Sequence, residues 1–152
     1  MKTNINDIMF PVEEIPAQLG NDFVTNTGYK FIRRKDTGQI LSCMTDNYKL
    51  VKNEFINKKS ADVIKKNGGR IKEVQTFGNG ARSVVKWEFP KHKVTLSKKD
   101  EMTPEIIWQN SYDGTIGLNI IAGAFRLICL NGAVIGVVAT KYRINILFKI
   151  WH

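Results

Sequence analysis

Residues 110–136 read NSYDGTIGLNIIAGAFRLICLNGAVIG, and the reading of this stretch decides the fold class. It is the most apolar part of the chain, yet Asp113-Gly114 and Asn131-Gly132 punctuate it. Such pairs favour tight turns because Asn, Asp and Gly tolerate positive φ. Between the turns lie Thr115, Ile116, Leu118, Ile120 and Ile121, then Phe125, Leu127, Ile128 and Leu130. β-Branched and aromatic residues in runs apolar on both faces suit the buried centre of a sheet. The stretch is therefore expected to form core strands rather than one long helix.

A membrane-spanning reading competes, since residues 115–139 hold a single charge, Arg126. That arginine would sit near mid-bilayer, where insertion costs about 2.5–3.5 kcal/mol. Asn119, Asn131 and the glycines weaken the case further, and no membrane association is expected.

A chain of 152 residues fits one domain with a sizeable core that needs no disulfide or metal. Cys43 and Cys129 lie far apart in mainly apolar surroundings, and Met1 to Pro11 lacks the apolar core and cleavage site of a secretory signal. An intracellular protein with reduced thiols is expected. The formal charge is +9 and unevenly spread: residues 1–28 carry one basic against four acidic residues, a net of −3, which leaves +12 for the remainder. A basic body fits a nucleic-acid partner, and equally an acidic protein.

Outward from the central stretch, residues 1–28 read as an extended acidic arm, an edge strand or wrapped tail, because Pro11 and Pro16 bracket VEEI. Residues 29–152 read as a single α+β domain. YKFIRRKD (29–36) and QILSCMTD (39–46) form a hairpin around Gly38, whose basic end is expected to flare into solvent. Residues 53–67 are the one clear helix, with Asn53 as cap, Glu54 and Lys65/Lys66 matched to the dipole, and Gly68 past the end. Ile56, Ser60, Val63, Ile64 and Asn67 are its expected packing face, and Lys58, Lys59, Asp62, Lys65 and Lys66 its outer face. RIKEVQTF (70–77), a Gly78-Asn79-Gly80 turn and ARSVVKWEFP (81–90) give a second hairpin. Residues 91–103 read as a charged loop or a short strand around Val94 and Leu96, followed by a strand with Ile106, Ile107 and Trp108. TKYRINILFKIWH closes the chain as an amphipathic strand.

The sequence offers little catalytic chemistry. No glycine-rich run ends in Gly-Lys-Ser/Thr, and Gly78-Asn79-Gly80 lacks the third glycine of a dinucleotide fingerprint. His92 and His152 never approach the cysteines at metal-ligand spacing. Cys129, His92 and Asp113 can be written as a triad, but a thiol inside RLICLNG reads as a small buried hydrophobe. Arg126 in so apolar a run needs the surface or a carboxylate, and Asp113 is its candidate partner. No cofactor, metal or catalytic group is expected.

For nucleic acid the ingredients are cations for phosphate and aromatic faces for stacking. Tyr29, Phe31, Tyr48, Trp87, Trp108 and Tyr112 interleave with cations, although most of these rings read as core. The leading expectation is binding without sequence specificity, to single strands among others, through Arg33, Arg34, Lys35, Lys58, Lys59, Lys65, Lys66 and Arg70. The alternative is a protein-interaction or inhibitor role, the basic face docking on an acidic protein. Oligomer formation is compatible with either.

PVEEIP, YKFIRRKDTGQILSCMTDNYKLVKN and above all the central stretch resemble the phage and plasmid-like family labelled domain of unknown function 932. The resemblance rests on Asn110, Ser111, Asp113 and Gly114, then Arg126, Cys129, Asn131 and Gly132. It implies a phage, prophage or plasmid origin and the cytoplasm of a bacterial host, and no established reaction. Family members continue beyond the position of Gly136 with a largely helical region, so the short tail here is expected either to replace that region or to mark a truncated member.

Overall fold

The computed structural model describes the backbone of residues 3–97, 100–127 and 134–143, and within them the side chains of 3–93, 95 and 101–123. A 3-10 turn at Ile5–Ile8 leads into three strands, β1 (Val12–Pro16), β2 (Tyr29–Arg34) and β3 (Ile40–Thr45), which form an antiparallel sheet in that order. The helix α1 (Asn53–Lys66) follows. Then come β4 (Arg70–Phe77), β5 (Arg82–Glu88), β6 (Val94–Ser97), β7 (Asp100–Met102), β8 (Pro104–Ser111), β9 (Asn119–Leu127) and β10 (Val134–Arg143). A five-stranded sheet runs β10-β9-β8-β5-β4, and β6-β7 make a two-stranded ribbon. The architecture is α+β, as the turn punctuation and the single helical period imply.

Register explains the core. Val74 lies opposite Val85, Val85 opposite Trp108, and Trp108 opposite Ile120; Ile71, Trp87 and Ile106 make a second rung. Cross-strand partners point to one face. Onto that face α1 lays Ile56, Ala61 and Ile64, with Ile8, Val51 and Leu118 filling in around them. Each such buried aliphatic or aromatic side chain contributes about 1.5–3 kcal/mol. A second cluster joins Val12 and Ile32 of the small sheet to Tyr112, with Phe10, Leu41, Met44 and Tyr48 against it.

The helix differs from expectation at both its cap and its face. Lys52 is the N-cap and donates no side-chain bond, while Asn53 is the first helical residue and is 1% exposed. Val63 is 62% exposed and Asn67 also faces solvent, whereas Ala61 is buried. The reason is Asn53 itself: its carboxamide is held in the interior, and residues three, eight and eleven further on, Ile56, Ala61 and Ile64, share its side of the helix. The far end closes as the glycines suggest. Gly69 N–H donates to Ile64 O at 2.9 Å and Gly68 N–H to Lys65 O at 3.0 Å, with Gly68 at φ +86°.

Residues of the acidic arm are woven into these layers. Asn4 and Asp7 cap the first turn reciprocally, Ile8 is fully buried in the larger core, and β1 is an outer strand paired with β2.

Candidate functional site

The Asn-Ser-x-Asp-Gly element occupies the end of β8 and the bend after it, with Asn110 and Ser111 buried and Asp113 half-buried. Asn110 Nδ2 donates to Val51 O at 2.8 Å and to Asn53 Oδ1 at 3.0 Å. Asn53 Nδ2 donates to Ile8 O at 3.0 Å and Ser83 Oγ at 3.1 Å, and its N–H donates to the Tyr112 hydroxyl at 2.8 Å. Ser111 Oγ donates to Ile116 O at 2.6 Å. Asp113 Oδ1 accepts from the N–H and hydroxyl of Thr115 at 3.0 and 2.5 Å. At Gly114, φ +72°, a Cβ would come within 2.8 Å of Met44 Cε. Tyr48 donates to Ser111 O at 3.0 Å and Ser42 to Tyr112 O at 2.5 Å, so the same element stitches the small sheet to the large one.

These bonds hold α1 and the two sheets together. Burial pushes the hydroxyls of Tyr48 and Tyr112 up to about 12, so both are neutral donors and acceptors at physiological pH. Among the described residues no group of three or more His, Cys, Asp or Glu side chains could hold a metal ion. Arg126 lies on β9 opposite Ile135, but its side chain, and with it the expected pair with Asp113, lies outside the described residues. Cys129, Asn131 and Gly132 lie outside them too, as does the part of the expected last strand beyond Arg143.

The basic residues fall into two groups. Three arginines have protein partners. Arg33 Nε meets Glu13 at 2.8 Å, and Arg70 Nε meets Glu88 at 2.8 Å. Arg34 is bidentate on Asp36 at 2.6 and 2.9 Å, donates to Asn79 O at 2.8 Å, and stacks over Phe10 at 3.6 Å. The carboxylate of Asp36 holds the Arg34 guanidinium above its usual range. At the hairpin end Arg33 and Arg34 are thus held back by their partners and partly buried, while Lys35 is exposed.

Lys35, Lys58, Lys59, Lys65 and Lys66 are exposed and have no ion pair among the described residues. On α1 they form two rungs, 58/59 and 65/66, two turns or about 10.5 Å apart on one stripe. Lys59 also lies 5.7 Å from the centre of the Phe55 ring. Asp62 shares the stripe and is exposed with them. The helix C-terminus meets the 89–92 turn, where a Cβ on Gly68 would sit 3.9 Å from His92 Nε2 and the neighbouring Lys91 is exposed. Sequence reading missed these two; KHK at 91–93 was legible only as a charged loop. Of the proposed stacking rings, Trp87, Trp108 and Tyr112 are at most 1% exposed.

No helix among the described residues is long and apolar enough to cross a membrane. A family model described as Domain of unknown function (DUF932) matches residues 40–152. The chain is similar to two proteins of Escherichia coli strain K12, UPF0380 protein YfjQ and UPF0380 protein YafZ, each 42% identical over 53 residues. That alignment covers 32% of this chain and 19% of either relative, so the chain matches about a fifth of their length. No solved structure matches the chain.

Proposed function

The chain belongs to the family described as Domain of unknown function (DUF932), and from that premise we propose that it is an accessory protein of a phage or other mobile element that binds nucleic acid without sequence specificity. The contact surface is the outer stripe of α1, in the cytoplasm of a bacterial host. One observation carries the reading: Lys58, Lys59, Lys65 and Lys66 stand exposed and without an ion pair among the described residues, on a helix anchored by a buried network. Lysines on a rigid helix bind phosphate as point charges and read no base. Lys35 is a further contact of the same kind, whereas Arg33, Arg34 and Arg70 serve mainly to hold their own carboxylates.

Four neutralised phosphates give a log–log salt slope of about −3.6, a loss of roughly a hundredfold between 50 and 200 mM salt. Fluorescence anisotropy of labelled oligonucleotides against nuclease-treated protein measures it. Salt-sensitive binding that disappears when lysines 58, 59, 65 and 66 become glutamine supports the reading. No binding at low salt, or full binding by that variant, refutes it.

A further inference from the structure

Between β1 and β2 the chain makes a twelve-residue connection, residues 17–28, where hairpin loops usually hold about two to five. Its base is closed by Ala17 N–H donating to Tyr29 O and by Thr27 Oγ1 donating to Ala17 O, both at 2.9 Å. At its tip Asp22 N–H donates to Leu19 O at 2.9 Å across a turn in which Gly20 has φ +54°. The Asp22 carboxylate accepts from the N–H groups of Val24 and Thr25 at 3.0 Å each, and from Thr25 Oγ1 at 2.6 Å. The Asp22 carboxylate is thus engaged within the tip, and the apolar side chains there are left in water: Leu19 is 64%, Phe23 75% and Val24 94% exposed. A hydrogen-bonded finger that presents three exposed apolar side chains within six residues is suited to docking.

Charge indicates what it docks on. The finger, residues 17–28, carries one charged side chain, Asp22 at its tip. The complement is an apolar spot among cations. Such a spot lies on α1, where Val63 is 62% exposed and Lys59 and Lys66 are its neighbours four residues before and three after, two cations against the one carboxylate of Asp62.

We infer that the β1–β2 finger docks on the α1 outer face of a second copy of this chain, Leu19, Phe23 and Val24 covering Val63 while Asp22 faces Lys59 and Lys66. The inference stands apart from the nucleic-acid reading, although both engage α1, so the two ligands exclude one another there.

Sedimentation velocity over a concentration series at low and high salt tests it, on nuclease-treated protein. One variant carries Phe23→Ser with Val24→Ser; the other carries Val63→Ser with Lys59→Gln and Lys66→Gln. All five side chains are solvent-facing, and far-UV circular dichroism checks that both variants keep the fold. The wild type is expected to self-associate reversibly, more weakly in high salt, and each variant to lose about tenfold or more in affinity. Mixing the two variants is expected to restore association, because one retains an intact helix face and the other an intact finger. A wild type that stays monomeric throughout, variants that associate like wild type, or a mixture that stays dissociated would each overturn the inference.

Discussion

The carboxamides of Asn53 and Asn110 meet inside the protein, Asn110 Nδ2 donating to Asn53 Oδ1 at 3.0 Å with neither residue more than 2% exposed. Each amide is satisfied through the other and through Val51 O, Ile8 O and Ser83 Oγ. Removing one partner leaves buried polar groups unpaired, at about 1–3 kcal/mol each. Asn53→Ala and Asn110→Ala are each expected to lose roughly 2–4 kcal/mol in urea unfolding. The double variant should lose less than their sum, with a coupling of about 1 kcal/mol or more.

Gly69 closes α1 where nothing larger fits: a Cβ there would lie 2.3 Å from Ile64 Cγ2 and 2.9 Å from Ile64 O. Gly69→Ala is expected to cost about 1–3 kcal/mol by overpacking. Gly68→Ala, which meets only the positive φ, should cost about 1–2 kcal/mol. Thermal melts of the two variants beside the wild type check the order.

The two groups of cations separate in a salt titration of nucleic-acid affinity. Each of Lys58→Gln, Lys59→Gln, Lys65→Gln and Lys66→Gln is expected to reduce the salt slope by about one. Arg33→Gln and Arg70→Gln should leave it unchanged, because Glu13 and Glu88 already neutralise them. Asp62→Asn removes the carboxylate between the lysine rungs and should tighten binding roughly threefold at low salt, on the scale of one surface charge pair.

Tyr112 makes the protein sensitive to alkali. Its hydroxyl is pushed up to about 12, chiefly by burial, from an ordinary value of 10.0. The unfolded chain therefore releases this proton first, binds fewer protons than the folded one above pH 10, and gains on it as pH rises. Stability is expected to be flat below about pH 10 and to fall by up to roughly 3 kcal/mol towards pH 12. Tyr112→Phe should make that limb shallower in pH-dependent urea melts, leaving the share of Tyr48, which is pushed up to about 12 as well, at a cost of about 1–3 kcal/mol at neutral pH from the unpaired Asn53 N–H.

What could be read from the sequence was local. The Gly78-Asn79-Gly80 turn announces the β4–β5 hairpin, and the spacing of Lys58, Lys59, Lys65 and Lys66 places them together on any helix through 53–67. The role of Asn53 was not legible, because an Asn ahead of an amphipathic run is also what an N-cap looks like, and its partners Ser83 and Asn110 come from other strands. The same holds for Arg33 and Arg70. Their carboxylates are direct cross-strand neighbours, Glu13 opposite Arg33 and Glu88 opposite Arg70, and the sequence does not specify either register. Val63 was misplaced for a related reason: the azimuth of α1 is set by a hydrogen-bond network formed over long sequence distances, and periodicity alone leaves it free to rotate.

Those distances bear on how the chain folds. The bonds around Asn53 join residues 30, 45, 57 and 59 positions apart, so each requires a long loop to close before it returns any stabilisation. The β4–β5 hairpin and α1 need only near neighbours and are expected to form early, with the amide network locking afterwards. Asn53→Ala and Asn110→Ala should then speed unfolding several-fold or more while leaving the refolding rate nearly unchanged in stopped-flow chevrons. The buried motif would thus act as a latch on the native state, setting how long α1 holds its orientation once the chain has folded.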